Sequence, residues 1–153
     1  MGKKFTRQAL NALTLAKKAA QSLNHSYIGT EHILAGLLKE PEGTAGRILE
    51  EFGVEEERLT GLICSLVAPP DSIMVERTPE YSPRAERLLE TAAAEAAAQK
   101  EELAGTEHIL LAMLKETDSV ATRLLYTMGI NIQKLYAAVL GAMGIDGEAA
   151  AGE

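Results

Sequence analysis

Tryptophan is absent from this sequence, and its 153 residues include only two phenylalanines and four tyrosines. A core without large rings has to be filled by aliphatic side chains: Leu, Ile, Val, Met and many Ala. That set favours helices, because Ala and Leu, with the Glu and Lys around them, lose little freedom there. Cysteine is nearly absent too. Cys64, in "LICSLV", is the only one. A single thiol makes no intrachain disulfide and no cysteine-based metal cage, and it fits a reducing compartment. No base or electropositive neighbour accompanies it in the sequence, so Cys64 is expected to be a small buried hydrophobe. No stretch is strongly basic, and the net charge is −7. Binding of nucleic acid through phosphate neutralisation is therefore not expected. No apolar run approaches the length of a membrane span, and Met1 to Gln8 is too polar for a signal peptide. These absences predict a soluble cytoplasmic protein with no membrane partner. The phosphate loop, the G-x-S-x-G nucleophile motif, the zincin motif and the dinucleotide fingerprint are missing as well. No catalytic residue, metal or cofactor is expected, and the chain by itself is not expected to hydrolyse ATP.

What the sequence does have is one word spelled twice. "GTEHIL" occupies residues 29–34 and again 105–110, an offset of 76 residues. At that offset, "FTRQALNALTLAKKAA" from Phe5 lies over "YSPRAERLLETAAAEA" from Tyr81. "TAGRILEEFGVEEERL" from Thr44 likewise lies over "VATRLLYTMGINIQKL" from Val120. Roughly a third of the positions from Phe5 to Leu59 are identical to their partners, which identifies a tandem duplication.

Each copy reads as four helices. The first starts at Thr6 or Ser82, both good N-caps, and Pro83 follows Ser82 at the first helical position, where a missing N–H costs nothing. Ala9, Leu13, Ala16 and Ala20, matched by Ala85, Leu89, Ala92 and Ala96, form its apolar stripe. The second helix is expected to start at Thr30 or Thr106 as N-cap. Ile33, Leu34, Leu37 and Leu38, or Ile109, Leu110, Met113 and Leu114, form its buried stripe. The third stops at Gly53 or Gly129, and the fourth starts near Glu55 or Asn131. The predicted fold is all-α, eight helices with pseudo-twofold symmetry. The first repeat spans residues 1–67, a proline-containing linker 68–80, the second repeat 81–143 and a frayed tail 144–153, both repeats forming one compact domain.

Within the doubled word, Glu31 and Glu107 have two readings. A carboxylate in the first turn complements the helix dipole, contributing about 0.3–1 kcal/mol. Alternatively, a ligand requires it. His32 and His108 are expected to be scaffold: partly buried rings bonded to a nearby backbone group, since three histidines and one cysteine are too sparse for a metal cage. Use of Glu31 or Glu107 as an enzymatic acid or base would need the two to converge, and nothing in the sequence brings them together.

A duplicated four-helix unit in which G-T-E-H-I-L opens a helix, preceded by "FTRQA" and "NHSYI", resembles the N-terminal domain of the Clp/Hsp100 AAA+ unfoldases, ClpC-type members above all. The likeness covers about residues 4 to 143. It implies a double Clp-N motif: a domain that receives adaptor proteins and protein substrates, ahead of two ATPase modules that feed a ClpP-type protease. With those modules missing from the chain, the expectation is a fragment of a longer protein or a stand-alone domain. The resemblance further implies recognition of phosphoarginine, one pocket per repeat. The glutamate takes the guanidinium through paired charge-assisted bonds, and the start of the first helix takes the phosphate. Carried over by position, these are Thr6 with Glu31, and Ser82 with Glu107. Lys3 and Lys4 precede the first helix, whereas Pro79 and Glu80 precede Tyr81 and the second. Arg84 is a candidate to offset Glu80. "SYIG" leads into one motif and "ELAG" into the other. The second pocket is therefore expected to be weaker. The alternative is an adaptor-docking module without phosphoarginine recognition.

Overall fold

The computed structural model describes residues 4–67 and 78–144. In chain order it has helix α1 (Arg7–Ser22), strand β1 (Tyr27–Ile28), α2 (Thr30–Lys39), α3 (Thr44–Glu51) and α4 (Glu56–Leu62). One π-helical turn (Ile63–Val67) follows, then β2 (Glu80–Tyr81), α5 (Pro83–Ala98), α6 (Thr106–Lys115), α7 (Val120–Thr127) and α8 (Ile132–Ala142). The eight helices fall where the duplication puts them. Thr6 and Ser82 cap α1 and α5, their hydroxyls accepting the Ala9 and Ala85 amides at 3.1 Å each. Gly53 and Gly129 follow α3 and α7 in the left-handed region, at φ +87° and +84°, where a side chain would be strained.

The predicted apolar stripes of α1 and α5 are all buried. The second helices do more than expected. Thr30 through Leu38 are buried without interruption, so α2 is wrapped on all sides rather than along one face. Ile33, Leu34 and Leu37 are each fully excluded from solvent, which stabilises the fold by about 1.5–3 kcal/mol per side chain. Gly36 lets α2 press directly on α1: a Cβ there would meet the Ala12 carbonyl and stand 2.8 Å from the Ala16 nitrogen. The counterparts in α5 and α6 are Leu88 and Ala112, both buried. The repeats are thus packed alike but not equally closely.

The two repeats are interlocked. Helix α3 packs on α6 and α8, and α2 on α7 and α5, so the buried residues of both form one continuous core. Two short parallel strands, which the helical reading did not anticipate, stitch the repeats together. In them Tyr27 pairs with Glu80 and Ile28 with Tyr81. Glu80, assigned above to the linker, belongs to this pairing; residues 68–77 of that linker lie outside the described residues, as do Lys3 and all of the tail after Gly144. Cys64 is half-buried in the π-turn, not fully inside the core.

Candidate functional site

Every residue of Gly-Thr-Glu-His has a separate task. Thr30 and Thr106 are not the caps of their own helices. Those caps are Gly29 and Gly105, and each threonine occupies the first helical position. The Thr106 hydroxyl accepts the Ala45 amide at 3.2 Å, in the first turn of α3, and the Thr30 hydroxyl accepts the Ala121 amide at 3.3 Å, in the first turn of α7. Each threonine therefore satisfies a first-turn amide on a helix of the other repeat. Sequence reasoning missed this because both partners are far away in the chain.

The histidines are scaffold, as expected, though more deeply buried. His32 Nδ1 accepts the Gly29 amide at 2.9 Å, and His108 Nδ1 accepts the Gly105 amide at 2.9 Å. With Nδ1 accepting, the ring proton sits on Nε2. His32 Nε2–H then donates to His25 Nδ1 at 2.9 Å, and His108 Nε2–H donates to Gln99 Oε1 at 3.2 Å. Burial, followed by the neighbouring His25, lowers the His32 pKa from 6.5 to about 4, so the neutral ring is the working form.

Glycine is required because the glutamate folds back across the helix start. A Cβ at Gly29 would stand 2.9 Å from Glu31 Oε2, and one at Gly105 2.6 Å from Glu107 Oε1. The two carboxylates are not in equal surroundings. Glu31 is 2% exposed and accepts the Tyr27 hydroxyl at 2.9 Å, while Glu107 is half-buried. The Tyr27 ring itself is stacked on His25.

Thr6 and Ser82, at the starts of α1 and α5, are bonded across the repeats and not to the glutamate segment of their own repeat. Helices α1 and α2 run antiparallel, and the Arg7–Glu42 ion pair at 3.7 Å marks the start of α1 beside the end of α2, opposite Glu31. Arg84, with Glu116 at 3.4 Å and Asp118 at 3.1 Å, similarly fixes the start of α5 at the end of α6. The neighbours of each helix start come instead from the other repeat. The Thr6 amide donates to the Ala104 carbonyl at 2.9 Å, and the Ala104 amide to the Lys4 carbonyl at 2.7 Å, which ties the start of α1 to the segment entering Glu107. The Ser82 amide donates to the Ile28 carbonyl at 3.0 Å, which ties the start of α5 to the segment entering Glu31. The backbone bonds thus set the start of α1 beside the segment that enters Glu107, and the start of α5 beside the segment that enters Glu31. The Arg84 guanidinium is engaged by Glu116 and Asp118.

Chemically, each corner offers first-turn amides beside a carboxylate, a set suited to a ligand carrying both an anion and a cation. The amides differ in number: α1 opens with Arg7 and Gln8, whereas α5 opens with Pro83, which has no N–H. Two grooves open on either side of Tyr81 at the start of α5. Both are lined by Tyr81 and Glu86, one also by Lys4, Phe5 and Leu89, the other by Leu10, Leu13 and Glu80. Among the described residues, no group of three or more His, Cys, Asp or Glu side chains is arranged to hold a metal ion, and no helix is long and apolar enough to cross a membrane.

The sequence matches the family model of the Clp repeat (R) N-terminal domain over residues 4–128 and again over 80–149. It is 38% identical over 141 residues to ClpC of Staphylococcus aureus, the ATP-binding subunit of an ATP-dependent Clp protease, covering 92% of this chain. The corresponding subunit of Staphylococcus saprophyticus is 39% identical over the same length. The chain spans only 17% of the length of these relatives. Among solved structures, the N-terminal domain of ClpD from Arabidopsis thaliana superposes with a TM-score of 0.78 at 26% identity, covering 94% of this chain and 99% of that one. A ClpV N-domain in complex with a VipB peptide superposes with a TM-score of 0.67 at 25% identity, covering 90% of this chain and 88% of that one.

Proposed function

The chain belongs to the Clp repeat N-terminal domain family, and on that premise we propose that it is the substrate- and adaptor-binding domain of a ClpC-type, ATP-dependent unfoldase working in cytoplasmic regulated proteolysis. On this reading it recognises proteins marked by phosphoarginine. The observation that carries the reading is the double corner. Each capped helix start, at Thr6 or Ser82, is bonded to the segment entering a first-turn glutamate, Glu107 or Glu31. Phosphoarginine joins a phosphate to a guanidinium, so its two groups require two such halves side by side. The amides and capping hydroxyl take the phosphate, and the carboxylate takes the planar guanidinium. Thr6, Glu31, Ser82 and Glu107 are the residues assigned to the task. The parent's ATPase modules and a ClpP-type protease are implied only through the longer relatives.

Calorimetric titration with free phosphoarginine tests this, with arginine and inorganic phosphate as controls. Binding of phosphoarginine but of neither half alone is expected, and Glu107→Ala together with Glu31→Ala should abolish it. Unchanged binding in the double variant would remove the assignment.

A second reading is adaptor docking without phosphoarginine recognition. It is favoured by the ClpV neighbour, which holds a peptide, and by the two grooves beside the start of α5. Competition between an adaptor and phosphoarginine separates the two readings.

A further inference from the structure

Resting on the phosphoarginine reading, we infer that the two pockets are unequal by construction, with Tyr27 acting as a latch that closes the Ser82–Glu31 pocket and leaves Thr6–Glu107 as the high-affinity one. Three independent differences point the same way. First, the Tyr27 hydroxyl occupies one oxygen of Glu31, and that carboxylate is 2% exposed. A guanidinium must displace the hydroxyl before both oxygens can form a paired contact. Four residues before Glu107 stands Leu103, which has no hydroxyl to donate, and Glu107 is the more exposed of the two. Second, the charge beside the helix start differs. Lys4 is exposed and pairs through its carbonyl with Ala104, on the way to Glu107. Its counterpart, the exposed Glu80, is in register with Tyr27, on the way to Glu31. A phosphate is attracted by the first and repelled by the second. Third, Pro83 removes one first-turn amide from the Ser82 pocket, whereas Arg7 supplies one at Thr6.

Tyr27 is a positioning residue here: it acts on the ligand through Glu31. Its ring is fixed by stacking on His25, 5.6 Å between centroids and 7° from parallel. Tyr27→Phe therefore keeps the stacked ring and removes the hydroxyl that engages Glu31.

The amides of Gly29 and Gly105 report each pocket separately in a two-dimensional NMR titration of the intact chain with phosphoarginine. Gly105 is expected to saturate at least tenfold earlier than Gly29. Tyr27→Phe should strengthen the Gly29 pocket about tenfold and leave Gly105 unmoved. Leu103→Tyr, which installs the same hydroxyl four residues before Glu107, should weaken the Gly105 pocket about tenfold. Simultaneous saturation of both amides in the unaltered protein, earlier saturation of Gly29, or a Tyr27→Phe variant with an unchanged gap overturns the latch while leaving the phosphoarginine reading in place. No response at either glycine overturns both.

Discussion

Replacing Thr106 by valine tests the bond that locks the repeats together. Valine keeps the shape of threonine and removes the hydroxyl that accepts the Ala45 amide at 3.2 Å. Helix α3 has no substitute, since its N-cap is Gly43, which carries no side chain. Loss of a capping oxygen costs about 0.5–2 kcal/mol, and a buried amide left without an acceptor costs about 1–3 kcal/mol. The two figures describe one event from different sides, so the expected loss is about 2 kcal/mol. For a chain of 153 residues, each kcal/mol moves the melting midpoint by about 2–4 °C, giving a drop of about 4–8 °C. Thr30→Val removes the twin bond to Ala121, at 3.3 Å. There the helix start is also served by Ser119, whose hydroxyl accepts the Thr122 amide at 3.2 Å, and a loss of about 1 kcal/mol is expected. Urea unfolding of both variants, with hydrogen exchange at the Ala45 and Ala121 amides, decides the matter. If neither substitution lowers stability, or Thr106→Val leaves Ala45 as protected as before, the cross-repeat cap is not what joins the two halves.

Gly36→Ala sets helix propensity, worth up to about 1 kcal/mol in favour of alanine, against a Cβ driven into the Ala12 carbonyl and the Ala16 nitrogen. Backbone cannot swing aside as a side chain can, so a net loss of about 1–3 kcal/mol is expected in urea, and a stabilised variant would show that α1 and α2 are not in close contact. The His32 pKa, held at about 4 against 6.5, makes the protein acid-sensitive. The unfolded ring binds its proton first, so full stability is present above pH 6.5 and about 3 kcal/mol is lost as pH falls from 6.5 through 4. His32→Gln should flatten the urea midpoint's dependence on pH across that window, and an unaltered slope would reject His32 as its source. Residues 1–67 alone lack the partners that Ala104, Thr106 and α6 supply, so they are expected to be unfolded as a monomer by circular dichroism. A stable folded monomer in sedimentation would contradict the interlocked core.

Much of the helical order could be read from the chain because its signals are local. Thr6 and Ser82 are caps whose partners lie three residues away, Pro83 opens its helix by its own fixed φ, and Gly53 and Gly129 stop helices through their own backbone freedom. The scaffold role of His32 and His108 was legible for the same reason: the bonded amide is three residues upstream. What stayed hidden is everything that crosses the repeat boundary. Thr30 and Thr106 look like caps in sequence because threonine before Glu-His commonly is one, yet their acceptor oxygens serve helices 91 and 61 residues away. A 76-residue offset aligns each copy with itself and suggests self-contained pockets. Only the pairing of Thr6 with Ala104, and of Ser82 with Ile28, ties each helix start to the segment that enters the other repeat's glutamate. The short strands escaped notice because two residues apiece carry no periodic signal.

That exchange changes how the two halves can differ in function. If each repeat held its own pocket, changes in one copy would act on one pocket alone. With the halves crossed, the first repeat contributes Lys4 and Thr6 to the Glu107 corner and Tyr27 to the Glu31 corner. The second contributes Glu80 and Pro83 to the Glu31 corner and Leu103 to the Glu107 corner. On the proposed reading, every one of these differences favours the same pocket, although they arise in both copies. The doubled word cannot reveal the inequality, because Gly, Thr and His are committed to building the corner and are identical in both. The distinction lies in the residues just before it and in the opposite repeat's helix start, where the scaffold places no demand on side-chain charge. Two identical motifs thus hold two carboxylates in the same way, and the flanking residues decide which one meets a ligand first.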